Sequence, residues 1–188
     1  MFSVKLIWRF ILMAVLLTSL LTVAGCDGLT DDLNPSGDDE RPSVDVGTIG
    51  IQVGQQSPDF SMLDTLGNSR GLYDELSRAS GVVLYFNMWC PICDAHASHM
   101  RAQVMPDFPD VSFFLVDYVT GSVTNSRAAQ LSNGYAGMEV LVDADQFVFN
   151  LYEASMGTTI VIDSAGIVMM NEDYKDGAKL ADVLGTLP

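Results

Sequence analysis

Two cysteines, Cys90 and Cys93, are separated by two residues in the stretch Trp89-Cys90-Pro91-Ile92-Cys93. Cysteines at this spacing in the first turn of a helix can close a small disulfide ring, or open to a dithiol, with little backbone movement. The free N–H groups and the macrodipole of a helix N-terminus favour an anion, so we expect a low thiol pKa at Cys90. Cys90 would then attack a partner disulfide, and Cys93 would resolve the mixed disulfide. Pro91 suits the first helical position, where its missing N–H has no helical partner.

Three other uses of a Cys-x-x-Cys pair each meet an obstacle in this chain. A structural zinc site needs four ligands, usually with a second distant pair, and the sequence has only one further cysteine. Covalent haem attachment needs His directly after the second cysteine, where this chain has Asp94. A structural disulfide that closes so small a loop contributes little entropic stabilisation. The spacing therefore favours redox chemistry at Cys90 and Cys93.

The pattern around the cysteines predicts a buried strand that leads into a helix. Residues 82–87 are a continuous apolar run, typical of a central strand covered on both faces, and residues 91–104 favour a helix. The remaining predicted strands are 60–64, 69–72, 111–116, 140–142, 158–163 and 167–170, and the remaining predicted helices are 73–77, 124–131, 146–153 and 175–184. This alternation predicts an α/β domain with a central mixed β-sheet flanked by helices.

The N-terminus has the layout of a targeting segment. Lys5 and Arg9 precede an apolar run at residues 10–21, which is short for a membrane-spanning helix. The run ends in Val23-Ala24-Gly25-Cys26, which resembles the cleavage box of bacterial lipoproteins. The resemblance implies that residues 1–25 are removed as a signal peptide and that Cys26 is lipidated. It also accounts for Cys26, which would otherwise be an odd free thiol in an oxidising compartment.

The composition of residues 26–50, rich in Asp, Gly, Pro and Ser, predicts an acidic flexible tether before a domain at residues 51–188. The chain has a formal net charge of −15, and loss of residues 1–25 removes two basic residues and no acidic one. So acidic a surface repels nucleic acid and anionic lipid headgroups. Membrane contact is therefore expected through acyl chains on Cys26.

Three motifs in order carry a family resemblance over most of residues 54–187: Gly54-x-x-Ser57-Pro58-Asp59-Phe60, Trp89-Cys90-x-x-Cys93, and the run from Thr158 to Gly166. Together they resemble the TlpA/ResA group of membrane-tethered thioredoxin-like proteins, within the alkyl hydroperoxide reductase superfamily. The resemblance implies a thioredoxin-like fold and an active site at Cys90 and Cys93, with Trp89, Pro91, Gly157 and Thr158 around it. The peroxiredoxin loop, with Pro at Val83 and Thr at Asn87, is absent, which argues against peroxidase activity.

Two residues depart from that family pattern. The family has a cis-proline before the Thr pair, where this chain has Met156-Gly157. Because a non-proline cis bond costs about 3–4 kcal/mol, we expect Gly157 to be trans or in a conformation open only to glycine. Thioredoxins carry a buried acid six residues before the first active cysteine, where this chain has Leu84. Proton transfer at Cys93 would then need another group or water. Asp94 is expected to raise the thiol pKa values, against the effect of the helix terminus.

The sequence leaves more than one function open. The TlpA/ResA resemblance implies a membrane-tethered thiol–disulfide oxidoreductase of the bacterial cell envelope, without a cofactor, that reduces exported disulfide-bearing clients with electrons from a membrane thiol donor. An alternative is a copper-handling module in which Cys90, Cys93 and His96, with Met88 or Met156, hold Cu(I). A third is a degenerate member of the family that serves as a binding scaffold.

Overall fold

The computed structural model of the protein describes residues 45–188. The expected signal peptide (residues 1–25), the lipidation site Cys26 and tether residues 27–44 lie outside this range. Residues 45–50, which their composition assigns to the tether, bond to the segment that follows. The Gly50 N–H donates to the Gln56 carbonyl at 2.9 Å, and the Gln56 N–H donates to the Thr48 carbonyl at 2.8 Å. No helix between residues 45 and 188 has both the length and the apolar character needed to cross a bilayer.

The described residues form seven strands and five α-helices. The strands are β1 (Ser61–Asp64), β2 (Ser69–Gly71), β3 (Gly81–Asn87), β4 (Val111–Asp117), β5 (Glu139–Val142), β6 (Thr158–Asp163) and β7 (Val168–Asp173). The α-helices are α1 (Leu72–Leu76), α2 (Pro91–His99), α3 (Val123–Ser132), α4 (Phe147–Leu151) and α5 (Ala178–Leu184). The order of elements confirms the α/β class.

All seven strands belong to one mixed sheet, in the order β2-β1-β5-β4-β3-β6-β7. Strands β3, β4 and β5 are parallel. Strand β6 runs antiparallel to both of its neighbours, β3 and β7, and β1 runs antiparallel to both β5 and β2. Every residue of β3 is buried, as its apolar run predicts for a central strand. The carboxyl end of β3 leads directly to the cysteines.

Side chains of β3 alternate between two apolar clusters, one on each face of the sheet. Leu84 and Phe86 belong to one cluster, while Val83 and Tyr85 belong to the other, which also contains Cys93. Helix α2 therefore lies on the Tyr85 face of β3. This placement brings a tyrosine hydroxyl, rather than an aliphatic side chain, against helix α2, 3.0 Å from the His96 Nδ1.

Two helices differ from their predicted bounds by three residues or more at one end. The α-helical pattern of α2 ends at His99 and continues as a π-helical turn over Met100–Val104, although residues 91–104 were expected to be one helix. Pro106 follows closely and lacks the N–H that another α-helical turn would use. Helix α5 begins at Ala178 rather than at residue 175, because Gly177 has φ +78° and Asp176 Oδ1 accepts a hydrogen bond from the Ala178 N–H.

Candidate active site

A tight turn at the end of β3 brings the chain to the first cysteine. The Asn87 side-chain oxygen accepts a hydrogen bond from the Trp89 N–H at 2.9 Å, which closes a local turn after the strand. Trp89 has φ +58°, in the left-handed region that side chains with a Cβ rarely adopt. Trp89 and Cys90 are half-buried and pack against the cluster that contains Cys93. The turn therefore holds the Trp89 side chain next to Cys90.

Cys90 is the N-cap of α2, with extended backbone angles, and Pro91 occupies the first turn. The Cys93 N–H donates a hydrogen bond to the Cys90 Sγ at 3.2 Å, so the sulfur takes the place that a Ser or Asp oxygen holds in many helix caps. The two Sγ atoms lie 2.8 Å apart, and both cysteines are free thiols. Cys90 is half-buried, whereas Cys93 is 1% exposed. An accessible thiol is thus paired with a buried one.

The pKa values of the two thiols move in opposite directions. Burial raises the pKa of Cys90, but hydrogen bonds from the Cys93 thiol and from backbone N–H groups of the first turn outweigh it, so the pKa of Cys90 lies below its usual value. Burial, followed by the interaction with Cys90, raises the pKa of Cys93. Asp94 was expected to oppose the helix terminus, but its carboxylate accepts a hydrogen bond from the Tyr135 hydroxyl. The lowered pKa of Cys90 therefore comes first from the Cys93 thiol and then from the N–H groups of the helix terminus.

The loop before β6 forms the other side of the site. Met156 places its Sδ 3.3 Å from the Cys90 Sγ, with the thiol as donor. Gly157 has φ +88°, and the described chain contains no cis peptide bond, so the expectation of a trans, glycine-only conformation is confirmed. The Gly157 N–H donates to the Phe86 carbonyl at 3.0 Å, which ties this loop to β3.

Thr158 closes this loop rather than facing the thiols. Its Oγ1 accepts a hydrogen bond from the Ser155 N–H at 2.9 Å, and its own N–H donates to the Ser155 carbonyl at 3.1 Å. Thr158 therefore fixes the turn that carries Met156 and Gly157.

A polar cluster behind Cys93 was not predicted. The hydroxyl of Tyr85 lies 3.0 Å from the His96 Nδ1, and the Tyr174 hydroxyl lies 2.9 Å from the His99 Nδ1. Tyr85 contacts Tyr174 edge to face, with 5.7 Å between ring centroids. The one signal for Tyr85 in the sequence is a hydroxyl inside an otherwise apolar strand, on the face shared with Val83. The signal for Asn87 is a turn-forming residue at the end of that strand.

The copper set of Cys90, Cys93 and His96 is not assembled. Among residues 45–188, no group of three or more His, Cys, Asp or Glu side chains is positioned to hold a metal ion. His96 is instead directed towards the Tyr85 hydroxyl, and a Cβ placed on Gly157 would lie 3.9 Å from its Nδ1.

Comparison with known proteins places this geometry in a family. Residues 53–170, more than half of the chain, match the AhpC/TSA family. The chain belongs to the AhpC/TSA family. The matched region of this AhpC/TSA protein runs from the segment before β1 into β7, and so includes the turn after β3 and the loop before β6.

Relatives of this AhpC/TSA protein share its fold. The thioredoxin-like protein YneN of Bacillus subtilis is 24% identical over 124 residues, which cover 64% of this chain and 71% of YneN. A candidate thiol:disulfide interchange protein DsbE of Chlorobium tepidum superposes with a TM-score of 0.62 at 20% identity, over 73% of this chain and 99% of that one. The peroxidoxin BcpB of Mycobacterium tuberculosis superposes with a TM-score of 0.59 at 24% identity, over 73% of this chain and 96% of that one. The thioredoxin-like fold is therefore confirmed.

Proposed function

We propose that this protein is a thiol–disulfide oxidoreductase of the TlpA/ResA type, which reduces disulfides in exported client proteins outside the cytoplasm. The observation that carries the proposal is the contrast in exposure and pKa between the two thiols, whose sulfur atoms lie 2.8 Å apart. Cys90 is accessible and has a lowered pKa, while Cys93 is buried and has a raised pKa. A nucleophilic cysteine needs thiolate character and access to its partner, which Cys90 has. The neutral, buried thiol of Cys93 lies beside it and can react in the second step.

The exchange proceeds in two steps that use only sulfur atoms and protons. The Cys90 thiolate attacks one client sulfur, which forms a mixed disulfide and releases the other client sulfur as a thiolate. Cys93 then loses its proton and attacks the Cys90 sulfur, which releases the second client thiolate and leaves the Cys90–Cys93 disulfide. The client is reduced by two electrons, and the protein is oxidised by two. A membrane thiol donor would restore the dithiol.

Lipid anchoring is a separate part of the proposal. It rests on the resemblance of Val23-Ala24-Gly25-Cys26 to a lipoprotein cleavage box. Fractionation of cells tests it without reference to activity: the wild-type protein is expected in the membrane fraction, and Cys26→Ser in the soluble extracytoplasmic fraction. If both proteins fractionate alike, the anchor is not at Cys26.

A glutathione redox titration of the purified protein, followed by Trp89 fluorescence, tests the exchange. A reversible two-electron transition is expected in the wild type and lost in Cys93→Ser. A reductant has a midpoint potential of about −270 mV, and an oxidant has one of about −120 mV. If the pair does not titrate, the oxidoreductase proposal fails.

Oxidation with hydrogen peroxide in place of glutathione disulfide is the control for peroxidase activity, the other chemistry known in this fold. Position 83, where the peroxiredoxin loop needs proline, is a buried Val paired with Phe113 and Val161 in the middle of the sheet. Proline there would remove a ladder hydrogen bond. Oxidation of the dithiol by peroxide at a rate that rivals client disulfides would favour a peroxidase instead.

A further inference from the structure

Cys93 has no direct contact with bulk water through which to lose its proton. The side chain is 1% exposed, and burial raises its pKa. Yet it must become a thiolate before it can attack the mixed disulfide on Cys90. A group within the protein that takes this proton would make the step faster at neutral pH.

Tyr85 is the polar side chain that the sheet aims at Cys93. It is 0% exposed, and the alternation of β3 directs it to the face on which α2 lies. Burial first, and then the charge and side-chain hydrogen bonding of Cys93, raise the pKa of Tyr85. On its far side, the same hydroxyl bonds to the His96 Nδ1 at 3.0 Å. A tyrosine that stays protonated can receive one proton as it passes on another.

His96 has the access to solvent that Cys93 and Tyr85 lack, because it is half-buried whereas they are fully buried. The groups that face it are Tyr85 from β3, His99 from its own helix, and Asp173 and Tyr174 from the end of β7. Burial lowers the pKa of His96, the charge of His99 lowers it further, and Asp173 opposes both. Near pH 7 the ring is therefore neutral and can accept a proton.

We propose that Tyr85 and His96 form a proton relay that serves Cys93 in the resolving step, a role that rests on the thiol–disulfide function proposed above. The Cys93 thiol donates its proton to the Tyr85 oxygen while the Tyr85 hydroxyl donates its own to the His96 Nδ1. The products are the Cys93 thiolate, an unchanged tyrosine and an imidazolium, which returns the proton to solvent. Tyr85, which lies in the same buried cluster as Cys93, acts as the catalytic residue that exchanges a proton with the reacting sulfur, and His96 orients its hydroxyl and accepts the proton that it passes on.

An equimolar reaction with 5,5′-dithiobis(2-nitrobenzoate), followed by stopped-flow absorbance, separates the two chemical steps. Attack by Cys90 releases the first thionitrobenzoate, and attack by Cys93 on the mixed disulfide releases the second. The leaving thiolate needs no proton, so the second phase reports the deprotonation of Cys93 alone. Cys93→Ser is expected to retain the first phase and lose the second.

Tyr85→Phe and His96→Gln are expected to slow the second phase at pH 7 by about tenfold or more, within the range of general-base catalysis, and to leave the first phase within about twofold. In the wild type the second phase should change little with pH near neutrality and should fall with a break below pH 6.5, where His96 becomes protonated. Both variants should lose this neutral plateau and its break: their rates should fall steadily towards acid pH, and should approach the wild-type rate at alkaline pH, where Cys93 ionises unaided.

Tyr118→Phe is the matched control, because Tyr118 also experiences the charges of both cysteines but stacks on Phe149, with 4.3 Å between ring centroids. It should keep both the rate and the break in the pH profile. If Tyr85→Phe retains the neutral plateau and its break, or slows both phases equally at every pH, the relay is wrong and the tyrosine is structural. If the wild type shows no second phase, the oxidoreductase function itself fails, which is a different result.

Discussion

The Sδ of Met156 lies 3.3 Å from the Sγ of Cys90, with the cysteine thiol as donor. Met156 and Gly157 occupy the stretch where the TlpA/ResA resemblance calls for a proline. The Cys90 sulfur is therefore in contact with a second, uncharged sulfur. A thioether accepts weakly from a thiol but offers no proton to a thiolate, so this contact favours the protonated form of Cys90.

Replacement of Met156 by Leu is expected to lower the pKa of Cys90, because the group that stabilises its protonated form is lost. A weak contact on the order of 0.5 kcal/mol corresponds to about a twofold faster alkylation by iodoacetamide at pH 7. The pH dependence of alkylation in Cys93→Ser and in the double variant measures the change. Met88→Leu is the control, since Met88 is also an exposed methionine near the cysteines. A slower reaction in Met156→Leu would contradict the assignment.

Substitution of Gly157 by Pro is expected to destabilise the protein, although it restores the residue of the family pattern. Gly157 has φ +88°, which proline cannot adopt, and its N–H donates to the Phe86 carbonyl at 3.0 Å. Loss of the hydrogen bond and the forced change of φ should cost about 3 kcal/mol. Gly157→Ala keeps the N–H and should cost about 1–2 kcal/mol for the left-handed conformation alone. Urea unfolding gives both values, and a Pro variant as stable as the wild type would refute this.

The stability of the reduced protein is expected to rise and then fall as the pH passes through 9. Because the pKa of Cys90 is below its usual 9.0, its contribution is present above pH 9 and is lost as the pH falls through the folded pKa. Because the pKa of Cys93 is raised, its contribution is present below pH 9.0 and is lost as the pH rises through the folded pKa. Urea unfolding under reducing conditions from pH 7 to 10 measures both. Cys90→Ser should remove the rise and Cys93→Ser the fall, relative to the wild type.

Local patterns predicted most of this fold, and contacts between distant segments account for what they missed. The apolar run of β3, the helix start at Pro91 and the strained glycine at 157 each follow from residues a few positions apart. The pairing of Tyr85 with His96 does not, because it depends on the register of α2 over the sheet. The His96 spacing suggested a metal ligand beside the cysteines, whereas the tyrosine on the strand below engages its Nδ1.

Loss of the Asn87 side chain is expected to disturb Cys90 through the turn that precedes it. Asn87 is 2% exposed, and its Oδ1 accepts the Trp89 N–H at 2.9 Å. Asn87→Ala leaves that N–H without its partner, at a cost of about 1–3 kcal/mol in urea unfolding. Asn87→Asp keeps the acceptor and the turn but adds a negative charge close to the cysteines, so it should preserve more stability and raise the pKa of Cys90. Alkylation at pH 7 should then be slower in Asn87→Asp than in the wild type. Equal stability of the Ala and Asp variants would show that the turn does not depend on this hydrogen bond.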